Sequence, residues 1–155
     1  ITAMTLDAEG EVTDFVRNDK CASGSGRFLE VMAEALGTGV EGLDRAAREA
    51  TRAAPVSDQC GVFVESEVVS LLNAGEPPGV IAAGLCDAVA RIVAAQARRL
   101  GPPGRFTITG GVGRLSTVAR QVARHLQAEF QPFPGDPGLA AAMGAALIAA
   151  DELDE

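Results

Sequence analysis

Residues 18–30 read NDKCASGSGRFLE, in which Cys21 stands directly before a glycine-rich turn that leads into an amphipathic helix. A structural thiol would be expected inside an apolar stripe rather than at such a point. Cys60 follows 39 residues later and is likewise placed where an extended segment turns into a helix. The interpretation of the whole chain depends on this pair.

The composition is that of one folded domain. The chain has 155 residues, of which 47% are hydrophobic, and it contains neither Trp nor Tyr. A formal charge of −8 argues against nucleic acid or an anionic membrane as the main partner, because both bind basic surfaces. We find no run long and apolar enough to predict a membrane span. Three cysteines are an odd count, which favours metal binding or catalysis over a disulfide scaffold and predicts the cytoplasm.

Hydrophobic periodicity predicts an α/β chain with few strands. The first 19 residues alternate apolar and polar side chains around Glu9 and Gly10, as in a β-hairpin. Further strands are predicted over 105–109 and near Phe130, and helices over about 25–36, 43–52, 61–73, 80–100, 116–126 and 139–152. The last helix is nearly all small residues on one side, so we expect another backbone to pass close to it. The predicted sheet has few strands for six helices, which suggests that the chain is part of a larger α/β protein.

Cys21 and Cys60 have the placement of metal ligands. A helix N-terminus carries unpaired N–H groups and about half a positive charge, which lowers a cysteine pKa and favours the thiolate that binds metal. An iron–sulfur cluster takes four thiolates, so a two-fold dimer would have to supply both cysteines from each subunit. The alternative is two unrelated buried thiols. Cys86 lies in the apolar pattern of a helix and is predicted to be core.

Two glycine-rich segments are candidates for nucleotide contact. A diglycine that closes a strand lets the backbone approach a flat ligand such as adenine, and glycines at a helix start present amides to a phosphate. Neither segment matches a standard nucleotide fingerprint. A glutamate one turn into the helix after Cys60 would accept a ribose hydroxyl, or would simply face water. The candidate residues are Gly24, Ser25, Gly26, Glu65, Gly110, Gly111 and Val112.

No catalytic residue is assigned. His125 is the only histidine, is predicted to be solvated, and has no nearby nucleophile that would support a triad. Arg91, Arg98 and Arg99 are predicted to form the wet face of the longest helix.

The sequence resembles the BadF/BadG/BcrA/BcrD group, which comprises the ATPase activators of 2-hydroxyacyl-CoA dehydratases and the ATPase subunits of benzoyl-CoA reductases. The resemblance is carried by NDKCASGSGRFLEVMAEALG, by CGVFVESEVVSLLNAG, by ITGGV and by GLAAAMGAALIAAD. These motifs cover essentially the whole chain in the order and spacing of the family. Both groups share them, so the resemblance extends to both.

The resemblance implies the C-terminal half of the actin-like ATPase fold of sugar kinases, heat-shock proteins and actin. That half is a ribonuclease H-like lobe with a mixed sheet and flanking helices. Residues 1–155 would then be a single domain fragment, the second lobe plus a C-terminal helix, without the N-terminal phosphate-binding lobe. The DxGS-like and DIGG-like segments of the family are not found here. The parent protein would therefore be the ATP-hydrolysing enzyme, and this piece alone is expected to be inactive.

For the cysteines, the resemblance implies that Cys21 and Cys60 from each of two subunits hold one 4Fe-4S cluster. The assembly would be a homodimer or a paralogous heterodimer that binds ATP or ADP with Mg²⁺. An electron from a ferredoxin or flavodoxin would pass through it to an acyl-CoA dehydratase or reductase subunit. Two alternatives stay open: a small-molecule kinase of the same fold without a cluster, and a non-enzymatic cluster or interaction domain.

Overall fold

The computed structural model describes residues 1–18, 26–58 and 61–153. Within these ranges the chain forms six α-helices, four short strands and two 3₁₀ turns. In chain order they are β1 Thr2–Leu6, β2 Val12–Arg17, α1 Gly26–Ala35, α2 Val40–Glu49, α3 Gly61–Asn73, α4 Pro78–Arg98, β3 Arg105–Phe106, a 3₁₀ turn Gly111–Arg114, α5 Ser116–Leu126, β4 Glu129–Phe130, a 3₁₀ turn Pro137–Leu139 and α6 Ala140–Leu153.

Most of the predicted helix bounds are confirmed to within two residues. The exception is α2, which begins at Val40 and ends at Glu49. The carbonyl of Gly39 already accepts the N–H of Leu43 at 2.9 Å, so the first turn lies ahead of the leucine at which the prediction placed the helix start. The backbone returns to an extended conformation at Ala50.

The predicted hairpin is confirmed. β1 and β2 pair antiparallel, with Thr2 opposite Arg17. Gly10 has a φ of +91°, a conformation that favours glycine in the connecting turn. The Asp7 carboxylate closes the turn by accepting the N–H of Glu11 at 2.8 Å. The pairing shifts by one residue between Thr5, which lies opposite Asp14, and Leu6, which lies opposite Val12.

Helix α4 is the centre of the hydrophobic core. It packs mainly against α2 and α5, and it also contacts α1, α3 and the hairpin. Ile81, Leu85 and Val89 on this helix are completely buried. At Gly84 the extended segment 54–58 passes so close that an added Cβ would lie 2.4 Å from the carbonyl oxygen of Ala54.

Helix α4 also has the length and apolarity of a membrane span, which the sequence analysis did not predict. It has 21 residues, and its most apolar 18-residue window has a mean hydropathy of 1.6. In the structure 61% of that window is buried inside the protein. A helix surrounded by its own chain is apolar on most sides, as a membrane helix is, and burial in the core accounts for the composition of α4.

The second strand pair is short. β3 and β4 run parallel, with Arg105 opposite Glu129 and Phe106 opposite Phe130, and the two phenylalanine ring centroids are 5.6 Å apart. Helix α5 connects them. The predicted strand 105–109 is thus reduced to two residues. Both strand orientations of the predicted mixed sheet occur, in two separate pairs.

Helix α6 departs from its prediction. We expected another backbone to pass close to its small residues, but none of its residues is buried, and it contacts mainly the 3₁₀ turn before it. Leu147 and Ile148 are 66% and 63% exposed. No described element of this chain covers the helix.

Candidate functional site

The diglycine turn after β3 leaves its backbone open. Gly110 has a φ of +82°, and its N–H donates to the carbonyl of Pro137 at 2.7 Å. Gly111 begins the 3₁₀ turn. Apart from chain neighbours, no heavy atom of the described residues lies within 4 Å of a Cβ built on either glycine. Within the described chain, this turn has room for a planar ligand against its backbone.

The second glycine segment meets this turn. Gly26 begins α1, and a Cβ built on it would lie 3.4 Å from Cγ2 of Val112. Two segments that were predicted separately are therefore neighbours, with room between them for little more than one methyl group. Gly24 and Ser25, the other members of the segment, lie outside the described residues.

An ion pair holds the turn against the loop before α6. Nε and Nη2 of Arg114 donate to the two carboxylate oxygens of Asp136 at 2.8 and 2.6 Å. The same carboxylate accepts the N–H of Gly138 at 2.9 Å. The hydrogen bonds from Arg114, followed by that from Gly138, lower the pKa of Asp136. The sequence analysis missed this pair, although an aspartate directly before Pro137-Gly138 is a helix-capping signal.

A buried carboxylate fixes the helix that follows the turn. Asp44 on α2 is 6% exposed and accepts the N–H of Thr117 at 2.8 Å and the hydroxyl of Ser116 at 3.1 Å. The residue before α5 is Leu115, which has no side-chain oxygen for capping. Asp44 supplies that oxygen from another helix, which no local pattern around residue 115 predicts.

Cys21 and Cys60 lie outside the described residues, so the structure bears on them only through the helices that follow. Helix α1 begins at Gly26, and α3 begins at Gly61, immediately after Cys60. These two helices contact each other. In the described ranges, no three or more His, Cys, Asp or Glu side chains are arranged to hold a metal ion. That Cys21 and Cys60 are cluster ligands stays a prediction.

The two glutamates of α3 differ in their surroundings. Glu65, the predicted ribose acceptor, is exposed. Glu67 is half-buried, and its carboxylate accepts the N–H of Ser57 at 2.8 Å. Glu67 thereby ties α3 to the extended segment that precedes Cys60.

Cys86 is a core thiol, as predicted. It is completely buried in α4. Burial first, and then the nearby Asp44 and Asp87 carboxylates, raise its pKa to about 12. A thiol in this state does not supply thiolate at neutral pH, so Cys86 is not a candidate ligand.

The predictions for Arg91 and His125 are wrong. His125 is not solvated: its side chain is 30% exposed, and Nε2 lies 2.8 Å from Oδ1 of Asp87. Arg91 does not point freely into water, since its guanidinium bonds Asp87, Asp58 and the carbonyl of Val56. Both side chains reach across to other elements, which the periodicity of a single helix does not reveal.

Comparison with known proteins finds relatives that match nearly the whole chain. The profile of the BadF/BadG/BcrA/BcrD ATPase family matches residues 1–149. The chain is 41% identical to the activator of lactoyl-CoA dehydratase of Anaerotignum propionicum, over 95% of this chain and 56% of that protein. It is 38% identical to the 2-hydroxyisocaproyl-CoA dehydratase activator of Clostridioides difficile, over 98% of this chain and 57% of that protein.

A solved structure of the activator of the 2-hydroxyisocaproyl-CoA dehydratase from Clostridium difficile, with bound ADPNP, matches with a TM-score of 0.92 at 38% identity. The match covers 97% of this chain and 56% of that one, so the chain spans about half the length of its relatives. This agreement confirms the predicted α/β, actin-like ATPase fold. With the motifs and the fold in accord over nearly all residues, the chain belongs to the BadF/BadG/BcrA/BcrD ATPase family.

Proposed function

We propose that the chain is the cluster-holding, adenosine-contacting part of an ATPase that serves a 2-hydroxyacyl-CoA dehydratase or a benzoyl-CoA reductase. The ATPase would donate one electron, at low potential, to that enzyme. The observation that carries the proposal is the close approach of Gly26 to Val112, where an added Cβ on Gly26 would lie 3.4 Å from Cγ2 of Val112. The helix that follows Cys21 thus lies beside the residue that follows the diglycine.

The nucleotide would lie against two backbones. Gly110 and Gly111 would face the adenosine, where the described chain leaves space. The N-terminus of α1 at Gly26 would offer N–H groups and a positive helix end to the phosphates, with Mg²⁺ as their counter-ion. The ADPNP bound in the related activator supports such a site. Glu65 is the proposed acceptor of a ribose hydroxyl.

Cys21 and Cys60 would hold a 4Fe-4S cluster together with the same two cysteines of a second, identical or paralogous subunit. When bound, the cluster supplies a one-electron carrier whose potential depends on nearby charge and solvent. The start of α3 at Gly61 would stabilise the Cys60 thiolate through its unpaired N–H groups.

Coupling between nucleotide and electron would run through α1. A nucleotide that displaced Val112 would act on the start of α1, because Gly26 lies beside that side chain. Helix α1 contacts α3, so a shift of α1 would also move α3 and change the field of both helix N-termini at the proposed cluster. The charge of helix ends near a redox centre is one of the protein's means of setting its potential.

The remaining assignments concern the whole protein. The part of the relatives that this chain does not span would supply the phosphate-binding lobe, so hydrolysis would belong to the longer parent and not to this piece alone. A ferredoxin or flavodoxin would donate the electron, and the cytoplasm would be the location.

The test uses the full-length parent protein, reconstituted with iron and sulfide in the absence of oxygen. About two irons per chain and the mass of a dimer are expected, because each chain would supply two of four thiolates. Cys21→Ser and Cys60→Ser should each abolish iron uptake. Cys86→Ala is the matched control and should retain the iron, since Cys86 is buried in the core.

Two results would contradict the proposal. Iron uptake that survives replacement of both Cys21 and Cys60 would show that they are not the ligands. An iron-free parent that transfers phosphate from ATP to a small molecule, with no effect of the cysteine replacements, would support the kinase alternative instead.

A further inference from the structure

We infer that Arg91 is a positioning residue, which fixes the extended segment 54–58 and thereby the approach of the chain to Cys60. The inference deepens the proposed function and depends on it in one respect, that Cys60 is a cluster ligand. Its basis is a set of contacts among described residues on both sides of Cys60.

The guanidinium of Arg91 uses all three of its nitrogens. Nε donates to Oδ2 of Asp58 at 2.9 Å, and Nη2 donates to the carbonyl of Val56 at 2.7 Å. Nη1 donates to Oδ2 of Asp87, one turn earlier on α4. The Arg91 side chain is 34% exposed. Two of its three bonds therefore end on the segment, and the bond to Asp58 ends two residues before Cys60.

Helix α5 also contributes to the position of Arg91, through Asp87. Oδ1 of Asp87 pairs with Nε2 of His125 on α5 at 2.8 Å. Arg98, further along α4, donates to the carbonyl of His125. The orientation of the guanidinium thus depends on the packing of α4 against α5, which belongs to the core.

Two further sets of contacts hold the segment. The N–H of Ala54 donates to the carbonyl of Val80 at 2.9 Å, and Gly84 leaves no room for a Cβ beneath Ala54. On the side of α3, Glu67 accepts the N–H of Ser57 at 2.8 Å. The segment is therefore fastened to α4 by Arg91 and to α3 by Glu67, at the point where the chain enters the helix that follows Cys60.

A planar guanidinium with three bonded nitrogens cannot be replaced by a point charge. Lysine supplies the positive charge from one nitrogen, without the rigid fork that bridges a carboxylate and a carbonyl. Outer partners that orient a metal ligand typically change metal affinity by about 10–100-fold when removed. The same dependence is expected of Arg91.

The experiment compares Arg91→Gln, Arg91→Lys and Arg99→Gln in the reconstituted full-length parent. Iron bound per chain is measured first, and then the rate at which a chelator removes it. Arg91→Gln should accelerate release by about tenfold or more, and Arg91→Lys should be intermediate. Arg99→Gln is the matched control and should match the wild type, because Arg99 is exposed and bonds only Gln96 among the described residues.

A second variant keeps the test decisive if Arg91→Gln does not fold. Asp58→Ala removes one partner on the segment and leaves α4 and α5 unchanged, and it should also accelerate release. Equal release rates in the wild type, Arg91→Gln and Asp58→Ala would overturn the inference.

A separate measurement distinguishes this inference from the proposed function. A parent that takes up no iron would overturn the proposed function alone. Hydrogen exchange would then decide the inference: faster exchange at 54–58 in Arg91→Gln than in Arg99→Gln supports the positioning role, and equal exchange rejects it.

Discussion

The Asp136 carboxylate connects the two 3₁₀ turns of the chain's described part. It receives two hydrogen bonds from Arg114, at the end of the turn that follows the diglycine, and one from the N–H of Gly138 in the turn before α6. Gly138 passes so close to Arg114 that an added Cβ would lie 2.7 Å from Nη2. These residues hold the backbone around Gly110 and Gly111 in place without contributing a side chain to the open face of the turn.

The acid titration of Asp136 follows from this geometry. Its pKa lies below the ordinary value of 3.8, chiefly because of the bonds from Arg114. Because the pKa of Asp136 is lowered in the folded state, its ionised form stabilises this part of the fold fully at pH values above the pKa of the unfolded chain. That stabilisation is lost as the pH falls through the pKa of the folded state. The amide shift of Gly138, followed by NMR, should therefore titrate with a midpoint below 3.8. Arg114→Gln should move the midpoint back toward 3.8. A wild-type midpoint at or above that value would contradict the role of Arg114.

The glycines near the middle of α4 and α6 have different surroundings. Gly84 in α4 lies under the Ala54 carbonyl and the Val56 side chain, so the glycine is required for close approach. Gly144 in α6 has no heavy atom of the described residues within 4 Å of an added Cβ. Both helices have a face of small residues, and this pattern predicted a close neighbour for α6. In α4 the same pattern does accompany close contacts. Only the fold distinguishes the two cases.

The matched substitutions Gly84→Ala and Gly144→Ala should have opposite effects on this chain. At Gly144 alanine is expected to raise the free energy of unfolding by up to about 1 kcal/mol, because it lowers the entropy lost on helix formation. At Gly84 the clash with backbone should cost about 1–3 kcal/mol, more than the propensity gain. Urea denaturation measures both. A stabilising Gly84→Ala would mean that segment 54–58 does not pass this close to α4.

The described part of the chain has one core, and it leaves apolar side chains exposed on the hairpin, on α3 and on α6. The core is centred on α4, whereas Phe15 on the hairpin, Phe63 on α3 and Leu147 on α6 are exposed. The chain also spans about half the length of its relatives. The core is nevertheless continuous from α1 through α5, so its stability can be measured as one unit.

The reactivity of the Cys86 thiol provides a measure of the unfolding of this core. With its pKa raised to about 12 by burial and completely buried in α4, it should react with a disulfide reagent only when the core unfolds. In the double variant Cys21→Ser and Cys60→Ser it is the remaining thiol, since the chain has three cysteines. Labelling in buffer should be as slow as global unfolding and complete in denaturant. Rapid labelling in buffer would show that α4 opens locally.

Most of the elements, and the family, can be predicted from short stretches of the chain. Hairpin alternation around Gly10, the helix bounds of α3 and α5, the burial of Cys86 and the motifs at Cys21, Cys60 and 110–112 are all recorded in short stretches of chain. Helix and strand periods, glycine turns and thiolate placement are local properties, so they can be predicted without coordinates.

Which of these stretches meet follows from tertiary packing. The approach of Gly26 to Val112, the bonds of Arg91 to Asp58 and the capping of α5 by Asp44 bring together residues far apart in the chain. Each depends on how the elements pack against one another, and no period in the sequence encodes that packing. For the same reason the sequence misjudged His125, Arg91 and α6: burial of a polar side chain or of a small-residue face depends on the element packed against it.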